Sequence, residues 1–158
     1  MKCINSIIFS PQQPTKNTRS EMSMKKPKAK YPTVMLVDDS EIDNFINQKM
    51  IEGCNFADRI YVHTSSKSAL EFLANFERAH LPEDLIPEII FLDINMPIMD
   101  GFQFAEEFGK SCPKIYDKIK IVFLTSSLNP VDQKRAMSVR GVYSFLNKPL
   151  GKDHLDKL

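Results

Sequence analysis

Five short apolar runs, separated by longer amphipathic stretches, constrain this 158-residue chain more than any other feature. From Tyr31 onward the runs are TVMLVDD, RIYVH, EIIFLD, KIVFLT and VYSFLN. Several are apolar almost without interruption and rich in β-branched residues, the pattern of central parallel strands covered on both faces. Helices are predicted between them. Residues 40–52 put Ile42, Phe45, Ile46 and Met50 on one helical face, with Ser40 as N-cap, Asp43 three residues later and Gly53 as the stop. The next helix carries Ala69, Leu70, Leu73 and Phe76, and a third, FQFAEEFGK, follows MDG. A fourth opens with Asn129 as cap and Pro130 at the first helical position and closes before Gly141. This alternation predicts an α/β fold, an open doubly wound five-stranded parallel sheet with right-handed crossovers and helices on both faces.

The charge pattern divides the chain. Net charge is +1, but residues 1–30 carry +6 and the remainder −5. The basic part, rich in Pro, Ser, Asn, Gln and Lys and without a sustained apolar period, cannot offset its ordering entropy by burial. Residues 1–30 are therefore expected to be a disordered tail, and 31–158 one domain with no output domain after it. Met22 and Met24 stand just before the basic KKPKAK run and offer alternative starts. The run has no interleaved aromatics to stack on bases, so direct nucleic-acid binding is not expected. The apolar stretch from Cys3 to Phe9 is too short to span a bilayer and poorly formed as a signal peptide, so no membrane attachment and a cytoplasmic location are expected. Cys3, Cys54 and Cys112 lack metal-ligand spacing and fit single thiols in a reducing compartment.

In an open α/β sheet, ligands sit outside the carboxyl ends of the strands. Those ends carry Asp38 and Asp39 after the first run, Asp93 at the end of the third, Thr125 at the end of the fourth, and Lys148 and Pro149 after the fifth. Three carboxylates, a hydroxyl and an ammonium are thus expected on one rim. Each has a plain structural alternative: the acidic pair could cap a helix, Asp93 could be a loop residue, Thr125 a strand terminus, and Lys148 a surface lysine beside a turn proline. Only the set argues for chemistry.

The motifs VDDS at 37–40, LDINMPIMDG at 92–101, LTSS at 124–127 and NKPL at 147–150, in that order, resemble the receiver domain of two-component response regulators over about residues 32–158. The resemblance implies a flavodoxin-like receiver fold with strand order 2-1-3-4-5. It implies Asp93 as phosphoacceptor, and Asp38, Asp39, Asp93 and the Asn95 carbonyl as the Mg²⁺ site. Thr125 and Lys148 would bind the phosphoryl group, and Thr125 and Phe145 would form the switch. Tyr143 and Phe145 share one strand face by period two, so Phe145 has plain core packing as its competing role. The partners implied are a sensor histidine kinase or histidine phosphotransfer protein and a downstream protein that reads the face of the fourth helix and fifth strand.

The chemistry is consistent with these roles. Carboxylates about 5 Å apart repel by roughly 3 kcal/mol per pair at an effective dielectric near 20, so the cluster needs cations to stay ionised. Mg²⁺ suits a site of few carboxylates that keeps its waters. A carboxylate is already a nucleophile, and the acyl phosphate it forms is labile, which describes a signalling phosphoacceptor and not an enzyme beyond its own phosphorylation and slow dephosphorylation. Two other classes stand beside this reading. A haloacid-dehalogenase-like Mg²⁺ phosphohydrolase would want a second Asp at position 95, where Asn95 stands, and a pseudo-receiver scaffold would lack part of the acidic and lysine set. Two stretches depart from the family pattern: the long segment 77–88, and GKDHLDKL as the only material for a last helix of about two turns.

Overall fold

The computed structural model describes residues 27–79, 81–127 and 130–158; most of the predicted tail and the Asn129 cap lie outside them. Residues 27–30, assigned to the tail on sequence grounds, run against the domain. Ala29 is buried, and Asn55 Nδ2 donates to the Pro27 carbonyl at 2.9 Å.

Five strands form: β1 (Tyr31–Val37), β2 (Ala57–His63), β3 (Ile89–Asp93), β4 (Lys120–Thr125) and β5 (Val142–Asn147). They make one parallel sheet in the order β2-β1-β3-β4-β5. Every residue of β3 is buried, as its unbroken apolar sequence requires for a strand covered on both sides. Strand periodicity sorts the side chains into two cores. Met35, Val37, Ile90, Leu92, Ile121 and Phe123 face one way and pack on α2 (Ser66–Arg78), α3 (Gly101–Ser111), α4 (Pro113–Tyr116) and α5 (Pro130–Ser138). Val34, Leu36, Phe91, Val122 and Leu124 face the other way, toward α1 (Glu41–Gly53) and α6 (Lys152–Asp156).

Helix α1 departs from the expected packing. Its apolar residues Ile42, Phe45 and Ile46 are 72%, 60% and 43% exposed, while the buried positions are Asn44, Asn47 and Ile51. The inner face is held by polar contacts. Asn44 Nδ2 donates to the carbonyls of Asp38 at 2.8 Å and His63 at 3.3 Å, and Asn47 Oδ1 accepts from Leu150 N–H at 3.2 Å. The Asp38 carbonyl and the Leu150 N–H would otherwise be orphaned there, and two asparagines satisfy them, while the His63 carbonyl also accepts from Asp38 N–H at 3.1 Å.

Residues 83–88 of the long 77–88 segment lie at the amino-terminal ends of the strands, away from the rim: Glu88 N–H donates to the Thr33 carbonyl and Lys120 N–H to the Glu88 carbonyl, both at 2.9 Å. Glu77 accepts from the N–H groups of Lys114 and Ile115 at the start of α4, a short helix that the sequence reading did not anticipate. Glu83–Leu85 form one 3-10 turn, and Thr33 Oγ1 donates to the Asp84 carbonyl at 2.6 Å. The last helix, α6, is five residues long, yet Leu155 and Leu158 are buried and Tyr31 donates to the Leu158 carbonyl at 2.8 Å.

Candidate functional site

The sheet order places β1 beside β3 and β3 beside β4, so the acidic residues beyond β1 and at the end of β3 are neighbours. Asp38, Asp39 and Asp93 each offer a carboxylate oxygen within 4.8 Å of the others. Asp38 and Asp93 are buried, and Asp39 is exposed.

Lys148, in the turn after β5, reaches back across the rim. Its backbone N–H donates to the Thr125 carbonyl at 2.9 Å, which fixes where the side chain begins. Its ammonium lies 2.5 Å from Asp38 Oδ2, 2.9 Å from Asp93 Oδ1 and 3.0 Å from Asp43 Oδ2. The Asp38 contact is short but unaligned for a hydrogen bond, so that buried oxygen has a charge partner and no directed donor. Distance alone sets the charge attraction, so the contact is an ion pair. The other Asp38 oxygen accepts from Ser40 N–H at 2.9 Å.

Burial works against the Lys148 ammonium, but its close pairing with the carboxylates of Asp38, Asp93 and Asp43 outweighs it and holds its pKa above the ordinary lysine range. Asp38 is pushed upward, first by burial and further by the Asp93 charge, against the opposing pull of Lys148 and of the Ser40 N–H. Lysine is therefore firmly charged, while the acidic cluster still carries more negative charge than it alone can neutralise. Hard carboxylate oxygens, close together and with one buried oxygen lacking a directed donor, fit a small divalent cation such as Mg²⁺.

Thr125 is fully buried at the end of β4, and its Oγ1 accepts from Ser127 N–H at 2.9 Å. It stands at the rim without bonding the acidic cluster in this state. Asn95 is exposed in the loop after β3, two residues beyond Asp93. In the same loop Ile98 is fully exposed at φ 70°, a left-handed conformation that costs a β-branched residue roughly 1–2 kcal/mol. The loop returns to α3 through Gly101, whose N–H donates to the Ile94 carbonyl at 2.9 Å. There is no room at Gly101 for a side chain: a Cβ would lie 2.6 Å from the Asp93 carbonyl oxygen.

Residues 34–158 match the Response regulator receiver domain. The chain belongs to this family. It is a family of signalling phosphoacceptors in two-component systems. Among curated relatives, the chain is 30% identical over 125 residues to the sensor histidine kinase CheAY of Helicobacter pylori, covering 77% of this chain and 14% of the kinase. It is likewise 30% identical over 125 residues to a protein-glutamate methylesterase/protein-glutamine glutaminase of Methanococcoides burtonii, covering 78% of this chain and 32% of that protein. The chain thus spans a third or less of the length of these two relatives. A two-component response regulator from Cytophaga hutchinsonii has a crystal structure similar to this fold, with TM-score 0.72 and 31% identity over 79% of this chain and 91% of that one.

Within the receiver domain, sequence reasoning brought Asp38, Asp39, Asp93, Thr125 and Lys148 to one rim, and the structure places all five there. Phe145 is not at the rim. It lies mid-strand on β5, opposite Phe123 and half-buried against the larger core, while Tyr143 on the same strand is exposed. The reading missed Asp43, which it took only as part of a helix cap, and Asn44. The available signal was an acid one helical turn past the acidic pair, opening a helix whose polar positions are spaced to face inward.

Proposed function

We propose that this receiver domain accepts a phosphoryl group on Asp93 from a phosphohistidine, carried by a sensor histidine kinase or a histidine phosphotransfer protein. The observation that carries the proposal is the Lys148 ammonium lodged between Asp93 at 2.9 Å and Asp38 at 2.5 Å, on the rim that also holds Thr125. Lys148 holds Asp93 Oδ1, so attack on phosphorus falls to the other carboxylate oxygen. The new O–P bond forms as the donor's P–N bond breaks, and the electron pair leaves with the imidazole nitrogen. Lys148 and the Thr125 hydroxyl would stabilise phosphoryl oxygens as charge develops. Asp38, Asp39, Asp93 and the Asn95 carbonyl would hold Mg²⁺, which would supply positive charge to the same oxygens.

The donor would dock on α1, where Ile42, Phe45 and Ile46 form an exposed apolar strip whose first turn reaches the site through Asp43. Phosphorylation would redirect the Thr125 hydroxyl from Ser127 N–H to the phosphoryl group. The space released would let Phe145 move inward, changing the α5 and β5 face read by a downstream protein. Free thiols at Cys54 and Cys112 suit a reducing cytoplasm, and no helix among the described residues is long and apolar enough to cross a membrane.

Intact-mass measurement after incubation with phosphoramidate and Mg²⁺ tests the proposal. One phosphoryl group is expected on the protein and none on Asp93→Asn. Undiminished labelling of the Asn variant would move the acceptor elsewhere. Fast turnover of phosphate esters would instead mark a hydrolase, and no labelling of the wild type a scaffold.

A further inference from the structure

Among the three carboxylates around Lys148, Asp43 differs from the other two. Asp38 and Asp93 belong to the acidic cluster, whereas Asp43 does not. It projects from the first turn of α1, with its own backbone N–H bonded to the capping Ser40 Oγ at 3.2 Å, so its position is set by a helix rather than by a loop. Its carboxylate meets Lys148 Nζ at 3.0 Å at one side of a cleft of about 310 Å³ that Ile46, Ser126 and Pro149 also line.

We infer that Asp43 is a positioning residue for phosphoryl transfer, holding the Lys148 ammonium at the reacting centre while its other two partners are engaged elsewhere. The inference rests on the phosphoacceptor reading of Asp93. A cation at the acidic cluster would compete with Lys148 for Asp38 and Asp93, and the acyl phosphate would replace the carboxylate that Lys148 now holds. Neither event touches Asp43. A lysine on a flexible four-carbon stem loses much of its value to a developing charge if it must be re-ordered during the step, and a fixed counter-ion removes that cost. Because the counter-ion sits on α1 between Ile42 and Ile46, a donor seated on that helix would press on the same tether.

The test compares wild type, Asp43→Asn, Asp43→Glu and Glu41→Gln in single-turnover phosphorylation by phosphoramidate at varied donor and Mg²⁺ concentration. Glu41 is the other first-turn acid of α1 and does not touch Lys148, so Glu41→Gln reproduces the loss of helix-terminal charge without loss of the tether. Asp43→Asn is expected to lower the saturating rate about 3- to 30-fold, with the donor concentration at half-saturation little changed. Asp43→Glu should recover part of that rate, and Glu41→Gln should match wild type. The Lys148 ammonium, followed by NMR with Mg²⁺ and beryllofluoride present, should exchange faster in Asp43→Asn than in wild type. A wild-type rate and an unchanged ammonium signal in Asp43→Asn would overturn the assignment, as would an equal loss in Glu41→Gln, which would trace the effect to the helix. Labelling of wild type but not of Asp93→Asn, together with an unaffected Asp43→Asn, refutes the tether alone. Absence of label on wild type refutes the phosphoacceptor reading and the tether with it.

Discussion

Replacing Gly101 by Ala should destabilise the domain although it puts a better helix former at the start of α3. On propensity alone the change would stabilise, since Gly in a helix costs about 1 kcal/mol relative to Ala. The site reverses the sign. A Cβ at Gly101 would sit 2.6 Å from the Asp93 carbonyl oxygen, 3.0 Å from Ile94 Cα and 3.1 Å from Phe123 Cε1, and ordinary contact begins at 3.4 Å. Two of these three neighbours are backbone, held by the β3–β4 ladder and by the Gly101 N–H to Ile94 bond, so the shortfall cannot be met by rotating a flexible side chain. Overpacking of this kind typically costs about 1–3 kcal/mol and exceeds the propensity gain at a first-turn position. Gly53, the last residue of α1, is the internal control: nothing lies within 4 Å of its would-be Cβ, so Gly53→Ala should gain roughly 0.4–1 kcal/mol. Thermal and urea melts of the two single variants and the double variant measure this, at roughly 3–5 °C per kcal/mol for a domain of this size. The sites share no partners, so the effects should add. If Gly101→Ala melts at or above wild type while Gly53→Ala is stabilised, the close approach of α3 to the Asp93 backbone is not what the structure describes, and the reasoning fails.

Two further outcomes are expected. Asn44→Ala should cost about 1–3 kcal/mol, because it leaves the buried carbonyl of Asp38 without its donor and removes one of two donors to His63, whereas Phe45→Ser on the outer face should stay within about 0.5 kcal/mol; urea denaturation giving the opposite order would refute the packing of α1. His63, held below the ordinary imidazole range by burial, binds fewer protons when folded than when unfolded, so between its folded pKa and about 6.5 stability rises with pH and is lost on acidification. Asp38 shifts in the opposite direction, so the quantity to read is the difference between wild type and His63→Gln in denaturation from pH 7.5 to 5.5. The wild type should lose more stability, and parallel curves would refute the assignment.

The sheet and its rim were legible because both rest on signals that survive in one dimension. An unbroken apolar run such as IIFL can only be buried on both faces, and the residue that ends it marks the strand's carboxyl end. Helix α1 was legible as a helix but not in its orientation. Amphipathic reasoning turns the apolar stripe inward, and here the open carbonyl at Asp38, brought beside His63, selects asparagine for the inner face, which appears only once β1 and β2 are paired. The role of Asp43 was hidden for a similar reason, since its partner Lys148 lies 105 positions away. Helix α4 had a signal in Pro113 at its first position, but a four-residue helix gives no period to read.

The inverted build of α1 bears on how such a domain can change over evolutionary time. Its attachment to the fold is carried by Asn44, Asn47 and Ile51, while Ile42 and Phe45 are mostly exposed. Substitutions on the outer stripe therefore alter what the helix offers to a visitor at almost no cost in folding free energy. A duplicated gene of this design can drift at Ile42 and Phe45 without passing through an unfolded ancestor, and, if the donor docks on α1 as proposed, two copies in one cell can become insulated from each other's inputs while keeping the same sheet and acidic rim.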